Sequence, residues 1–212
     1  MNAPPRYHGI IAHYEECLKI HGDTHLGVDW PNPEDADTRY RVMLDLIHRP
    51  LAREPVRLLD FGCGASHLYD YIEHERVDGL SYSGLDLSAD FIELSRAKFP
   101  SNDYWCLDLL TADHGHLGRF DYAVMNGVFT EKMDLQFDEM FDFLTRTVVA
   151  TFSLVDVGIA FNVMSSCVDW ERDDLFHLPF DTLAAWLTRN IGRNFVFRND
   201  YGLYEYTTYV YR

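Results

Sequence analysis

The sequence predicts an α/β protein with a seven-stranded, mostly parallel sheet that carries helices on both faces. From Val56 onward, short apolar segments alternate with segments of helical periodicity, as in the repeated strand–helix units of a parallel sheet. Near the C-terminus, two strand-like segments are joined by Asp200-Tyr201-Gly202, which predicts a hairpin with the last strand antiparallel to its neighbour. At 212 residues the chain is long enough for one domain with a sizeable core.

The elements follow in a regular order. Before the alternating part, the spacing of apolar residues predicts two amphipathic helices, over residues 7–20 and 35–48. The loop between them contains Pro31 and Pro33, which lack amide donors. The strands are predicted at 56–61, 82–87, 104–107, 121–125, 157–163, 194–198 and 204–211. The later helices are predicted at 66–75, 89–99, 135–149 and 181–190.

Charge and composition narrow the classes of partner. The formal net charge is −16, from 34 acidic and 18 basic residues. Because nucleic-acid binding depends on neutralising phosphates, we expect neither nucleic acid nor an anionic membrane as partner. No apolar run approaches a membrane span, and the N-terminus does not resemble a signal peptide. The four cysteines lie far apart, which favours reduced thiols in a cytoplasmic protein.

The most informative motif is the segment Leu58-Leu59-Asp60-Phe61-Gly62-Cys63-Gly64-Ala65-Ser66. An apolar strand ends in an acid and turns through Gly62 and Gly64, which permit a tight turn close to a ligand. Asp86 follows the second strand and Asp108 the third. In open parallel sheets, ligands bind at the carboxyl ends of the strands. A carboxylate at Asp86 suits two ribose hydroxyls, and one at Asp108 suits an adenine amino group, so the motif predicts a nucleoside site.

The spacing separates two kinds of nucleoside cofactor. Dinucleotide binding requires a small residue at the end of GxGxxG, and this position holds the bulky His67. A nicotinamide dehydrogenase is therefore disfavoured. The alternative pattern, acid-x-GxGx-small, is met by Asp60, Gly62, Gly64 and Ser66. From Val56 to the C-terminus the chain resembles the class I S-adenosylmethionine-dependent methyltransferases, although Ser66 stands where that family usually has glycine.

The resemblance implies a Rossmann-like fold, with residues 54–212 as the cofactor-binding core and residues 1–53 as a helical lid or substrate cap. It implies that S-adenosylmethionine lies with its methionine part against Asp60 and the glycine turn, its ribose on Asp86 and its adenine on Asp108. The predicted cofactor-binding residues are Arg39, Asp60, Phe61, Gly62, Gly64, Ser66, Asp86, Leu87, Asp108, Leu109, Asn126 and Gly127.

Two of these predictions have structural alternatives. The Arg39 guanidinium could bind a carboxylate, or it could form a surface ion pair with Glu34 or Asp35. Asn126 and Gly127 follow the fourth strand, where family members place residues beside the sulfonium, but the pair is equally typical of a turn before a helix.

Methyl transfer is an in-line displacement that mainly requires the reacting atoms to be held in line, and it needs a base only when the nucleophile must lose a proton. We predict His21 as that base, with a solvent-exposed loop histidine as the alternative. Asp169 is a second catalytic candidate, with a helix cap as its alternative. Trp30, Tyr40 and Asn162 are predicted to contact the acceptor.

We expect the acceptor to be a small molecule, such as a sugar, a polar metabolite or a natural-product intermediate, methylated on oxygen or nitrogen. The alternative is a non-catalytic protein of the same fold that binds cofactor or a partner. No metal is expected, because His21 and His25 lie in a predicted loop without the i,i+4 geometry of a helical zinc site. The oligomeric state stays open.

Overall fold

A computed structural model describes residues 5–47 and 55–212 and confirms the predicted α/β fold. The helices are α1 (His8–His21), α2 (Pro33–Leu44), α3 (His67–Glu75), α4 (Ala89–Lys98), α5 (Phe137–Leu154) and α6 (Phe180–Asn190). The strands are β1 (Val56–Phe61), β2 (Leu80–Asp86), β3 (Asp103–Cys106), β4 (Phe120–Phe129), β5 (Val155–Ser165), β6 (His177–Leu178), β7 (Phe195–Arg198) and β8 (Glu205–Tyr211). Within the described ranges, no helix combines the length and the apolar character needed to cross a bilayer.

The sheet has the strand order β3-β2-β1-β4-β5-β8-β7, and β6 pairs with β5. Strands β1 to β5 are parallel, whereas β8 runs antiparallel to both β5 and β7, as the predicted hairpin requires. The additional eighth strand, β6, has two residues and is too short to leave a periodic signal in the sequence. Because β1 lies between β2 and β4, the chain order reverses beside β1 and opens a crevice at the carboxyl ends of these strands.

The segment Asn126-Gly127 is part of a strand, so the alternative of a turn before a helix is wrong. β4 continues to Phe129, and its pairing with β5 shifts register between Met125 and Phe129. Gly127 has φ of 78°, a left-handed conformation that glycine adopts without a Cβ penalty. The irregularity is typical of a β-bulge, which bends a strand and redirects its side chains next to a site.

Two apolar clusters hold the helices onto the sheet. One includes α5, together with Tyr7 and Ile10 of the N-terminal segment. The other includes α2, whose Val42 and Met43 are fully buried. α2 is thus built into the core, and movement of residues 1–53 as a lid stays a prediction. The predicted end of the second helix at residue 48 lies outside the described residues.

Candidate functional site

A cleft opens at the carboxyl ends of β1, β2 and β4 and is covered on one side by α1. It encloses about 1000 Å³ of empty space, counting the solvent at its open mouth. The predicted site residues that line it are Trp30, Tyr40, Asp60, Phe61, Gly62, Gly64, Asp86, Leu87, Asn126 and Gly127. The predicted site residues that lie elsewhere are His21, Arg39, Ser66, Asp108, Leu109, Asn162 and Asp169.

The glycine turn after β1 forms the floor of the cleft. Gly62 and Gly64 have φ of 73° and 50°. The amide of Gly62 donates to the Leu85 carbonyl at 2.7 Å, which fixes the turn against β2. A Cβ on Gly62 would lie 2.6 Å from Cγ2 of Val128, so a larger residue would meet the opposite wall. The turn therefore leaves a backbone cradle that only glycine can provide.

Two carboxyl groups face this cradle. Asp86 accepts the Gly64 amide at Oδ2 and the Ser88 amide at Oδ1, both at 2.9 Å. Each oxygen keeps acceptor capacity for a ligand hydroxyl, because a carboxylate offers about four lone-pair sites. Asp60 accepts the Tyr82 hydroxyl at 2.7 Å. Burial raises the pKa of Asp60 to about 7. The hydrogen bond from Tyr82 lowers this pKa, and the negative charge of Asp86 raises it further.

Ser66 belongs to the loop and not to the cleft lining, so its prediction as a ligand contact is wrong. Its side chain is fully buried, and Oγ is hydrogen-bonded to Ser95 Oγ at 2.8 Å and to the Tyr104 hydroxyl at 3.1 Å. Ser66 has φ of 57°, which explains why glycine suits this position. The two hydrogen bonds stabilise a serine in that left-handed conformation.

The predicted adenine contacts, Asp108 and Leu109, do not line the cleft. Asp108 Oδ2 accepts the Tyr7 hydroxyl at 2.8 Å, and Oδ1 accepts the Leu110 amide at 3.0 Å. Although burial opposes it, these hydrogen bonds lower the pKa of Asp108. Leu109 is buried in the core. The Tyr7 hydroxyl thus takes up part of the acceptor capacity of Asp108.

Arg39 and Asn162 act on the cleft indirectly, through a buried carboxylate. Arg39 Nε lies 2.9 Å from Glu205 Oε2, and Glu205 is 1% exposed. Asn162 donates to Glu205 Oε1 at 2.9 Å and accepts the Gly127 amide at 2.8 Å. The predicted roles of Arg39 in carboxylate binding and of Asn162 in acceptor contact are therefore corrected. Together they hold the β4 bulge in place.

Asn126 and two aromatic rings form the wall opposite the glycine turn. Both polar atoms of the Asn126 amide are shielded from solvent without a hydrogen-bond partner among residues 5–47 and 55–212. Such an orphaned group is costly unless a ligand satisfies it. Trp30 and Tyr40 lie beside it, with ring centroids 5.5 Å apart. A Cβ on Gly127 would lie 3.3 Å from the Trp30 ring, so glycine lets the indole approach the bulge.

Both predicted catalytic residues lie outside the cleft. His21 is the exposed last residue of α1, and Asp169 is exposed in a bend, where it caps no helix. Two groups of α1 that no sequence pattern singled out lie near the site: Tyr14 lines the cleft, and His13 lies behind its wall. His13 Nε2 lies 2.8 Å from Asp29 Oδ2 and 3.6 Å from Glu131 Oε2. Burial raises the pKa of Glu131 to about 8, and the Asp29 carboxylate adds to this.

The part of the chain that forms the cleft is similar to known methyltransferases. The family model for a methyltransferase domain matches residues 59–149, which include the glycine turn, Asp86 and the β4 bulge. The chain is similar to the class I S-adenosylmethionine-dependent methyltransferases. "Putative methyltransferase Rv1506c" of Mycobacterium tuberculosis is 26% identical over 164 residues, covering 75% of this chain and 95% of that protein.

Solved methyltransferase structures share the fold. The magnesium protoporphyrin IX methyltransferase of Synechocystis, crystallised with S-adenosylmethionine, superposes with a TM-score of 0.61 at 15% identity over the whole of both chains. The 1,6-didemethyltoxoflavin-N1-methyltransferase of Burkholderia thailandensis, crystallised with its substrate and S-adenosylhomocysteine, gives a TM-score of 0.61 at 15% identity. That comparison covers 100% of this chain and 92% of the other. At this identity, the likeness establishes the Rossmann-like fold.

Proposed function

We propose that the cleft binds S-adenosylmethionine and that the enzyme transfers its methyl group to an oxygen or nitrogen of a small-molecule acceptor. The observation that carries this proposal is the Asp86 carboxylate, which is fixed by the Gly64 amide at the edge of the glycine cradle. The match to a methyltransferase domain favours S-adenosylmethionine as the methyl donor. The two solved relatives were crystallised with S-adenosylmethionine or its product, which supports the same cofactor here.

The residues of the cleft suit this cofactor. The glycine cradle leaves room for a ligand to lie against the backbone, and the acidic pair Asp60 and Asp86 favours a ligand that carries positive charge and hydroxyl donors. Bound S-adenosylmethionine supplies an activated methyl group on a sulfonium with a neutral leaving group. The orphaned Asn126 amide lies on the opposite wall, where it can donate to and accept from a ligand.

The acceptor is proposed to enter between α1 and the β4 bulge. Tyr14, Trp30 and Tyr40 present aromatic surface to the cleft there, and aromatic rings bind flat or apolar faces well. The two structural relatives act on compounds named as magnesium protoporphyrin IX and 1,6-didemethyltoxoflavin. These side chains contribute by orienting the acceptor and excluding water, and orientation alone can lower a barrier by several kcal/mol.

Cofactor binding is tested by calorimetry with S-adenosylhomocysteine. We expect the wild-type protein to bind one equivalent and Asp86→Ala to weaken the affinity at least about tenfold, because hydrogen bonds to a charged group contribute roughly 1.5–3 kcal/mol. Asp90→Ala is the matched control, since Asp90 is exposed in the first turn of α4. Absence of binding to the wild-type protein would contradict the proposal.

Catalysis is tested separately, with methyl-labelled S-adenosylmethionine and a panel of small aromatic and sugar compounds that carry hydroxyl or amino groups. Transfer of label to any of them, lost in Asp86→Ala at subsaturating cofactor, supports the enzyme. Cofactor binding without transfer to any acceptor, including peptides and nucleic acid, supports the non-catalytic alternative.

A further inference from the structure

Three potential metal-ligand side chains meet behind the acceptor side of the cleft, and a fourth, Glu131, lies 3.6 Å from one of them, His13. His13 and Cys17 lie four residues apart on one face of α1. Asp29 follows the 3₁₀ helix His25–Val28, and Glu131 follows the end of β4. The cluster therefore joins three groups of the N-terminal segment to one group of the sheet.

The distances suit a single ion. His13 Nε2 lies 3.7 Å from Cys17 Sγ and 3.6 Å from Glu131 Oε2. Zinc bonds of about 2.0–2.3 Å place neighbouring tetrahedral ligands roughly 3.3–3.7 Å apart. His13 Nε2 and Asp29 Oδ2 are closer, at 2.8 Å, because they share a hydrogen bond. Binding of a cation replaces that proton and requires the two atoms to separate by roughly half an ångström.

One carboxyl oxygen of the cluster lacks a hydrogen-bond partner among the described residues. Among the described residues, His13 is the only basic side chain within ion-pair distance of Asp29 or Glu131. Glu131 Oε2 is shielded from solvent and has no hydrogen-bond partner in the described parts of the chain. A shielded carboxyl oxygen without a hydrogen-bond partner is costly, and a cation bound to it would remove that cost.

The backbone around the cluster is already ordered. Asp29 has φ of 54°, a left-handed conformation, and its amide donates to the Leu26 carbonyl at 3.1 Å. Glu131 is held by a bridge to Leu175. The ligand groups are thus presented by fixed backbone, which lowers the entropy cost of closing a metal site.

We propose that His13, Cys17, Asp29 and Glu131 bind one divalent transition-metal ion, with zinc as the ion best suited to these donors. Thiolate, imidazole and carboxylate are all established zinc ligands, whereas magnesium and calcium bind almost entirely through oxygen. The bound ion would tie α1 to the end of β4 and so fix the wall that Tyr14 and Trp30 present to the acceptor. The histidines considered from the sequence, His21 and His25, are not part of the cluster.

Cobalt titration of the tag-free, full-length protein, stripped of metal by a chelator, tests the site. We expect a thiolate-to-cobalt charge-transfer band in the near ultraviolet that saturates at one equivalent and is abolished by added zinc. Cys17→Ser should lose the band, whereas Cys106→Ser, at an exposed thiol outside the cluster, should keep it. A wild-type protein without the band, or a band of equal intensity in Cys17→Ser, would overturn the proposal.

Zinc affinity provides the second measurement. Since even residues that only orient metal ligands typically alter affinity 10–100-fold, we expect His13→Ala to weaken zinc binding at least about tenfold. His21→Ala, on the same helix but exposed, should bind zinc as the wild type does. Circular dichroism shows that each variant is folded. Equal affinities in His13→Ala and the wild type would contradict the site. Neither experiment uses cofactor or acceptor, so the outcome is independent of the proposed methyl transfer.

Discussion

The buried carboxyl of Asp60 makes cofactor affinity depend on pH. Asp60 is 3% exposed, and burial raises its pKa to about 7 from the usual 3.8. S-Adenosylhomocysteine carries an ammonium group, and we propose that its methionine part lies against Asp60. A positive charge next to the carboxyl favours the ionised form, so ligand binding releases a proton. Affinity should therefore increase as the pH rises toward and past 7.

The magnitude follows from the ionised fraction of free Asp60. For a pKa of about 7 and full ionisation in the complex, the affinity rises by up to about 30-fold between pH 5.5 and pH 8. The same raised pKa makes the free protein less stable as the pH rises, whereas cofactor affinity increases. The native state keeps a proton that the unfolded state releases, so the free energy of unfolding falls by about 4 kcal/mol as the pH rises from about 4 to about 7.

Calorimetry with S-adenosylhomocysteine at several pH values, in buffers of different ionisation enthalpy, measures both the affinity and the protons released. Asp60→Asn keeps the shape of the side chain and removes its titration, so the pH dependence should flatten. Because Asp86 also has a raised pKa from burial, a shallow slope in the same direction should remain in that variant. A wild-type affinity that is constant between pH 5.5 and pH 8, or an unchanged slope in Asp60→Asn, would refute the reasoning.

Three further predictions concern the framework of the site. Gly62→Ala should weaken S-adenosylhomocysteine binding at least about tenfold. A positive φ costs a non-glycine residue about 1–3 kcal/mol, and the added Cβ would lie 2.6 Å from a methyl group of Val128, so the turn would have to change shape. Gly192→Ala is the control, since open space surrounds Gly192 and binding should be unchanged. Arg39→Leu should lower the free energy of unfolding, measured in urea, by about 3–5 kcal/mol, because it leaves the buried Glu205 carboxylate without its ion-pair partner. The double variant Arg39→Leu with Glu205→Gln should recover most of that loss. Ser66→Ala should lower the free energy of unfolding by about 1–3 kcal/mol through the lost hydrogen bonds. Ser66→Gly loses the same hydrogen bonds but removes the strain of the positive φ, so it should lower that free energy less. Equal losses in the two variants would show that the strain is unimportant.

Local sequence patterns predicted the part of the site that lies on neighbouring backbone. The strand that ends at Phe61, the two glycines and the acid after the second strand are each recognisable within a few residues. Parallel strands bring their carboxyl ends to one edge, so these segments meet without any knowledge of side-chain packing. The glycine turn and Asp86 accordingly line the cleft as expected.

Long-range partners could not be predicted in this way. Arg39 and Glu205 are 166 residues apart, and Tyr7 and Asp108 are 101 residues apart. In the sequence, Arg39 lies close to acidic residues, and Asp108 follows the third strand, where the resemblance places the acid that binds adenine. Neither pattern indicates that Arg39 is paired with Glu205 or that Asp108 accepts a hydrogen bond from Tyr7.

The sequence by itself determined the fold class, the glycine cradle and the resemblance to methyltransferases, because these depend on periodicity and on short motif spacing. Tertiary structure decided which polar groups remain free to meet a ligand. Asn126 has no hydrogen-bond partner among the described residues, whereas Asn162 is bonded at both ends to Gly127 and Glu205. The two asparagines follow similar apolar strands, and only the packing of the bulge against β5 and β8 separates their roles. A buried polar group is paired by whatever side chain lies within about 3 Å, and that neighbour is set by the whole fold.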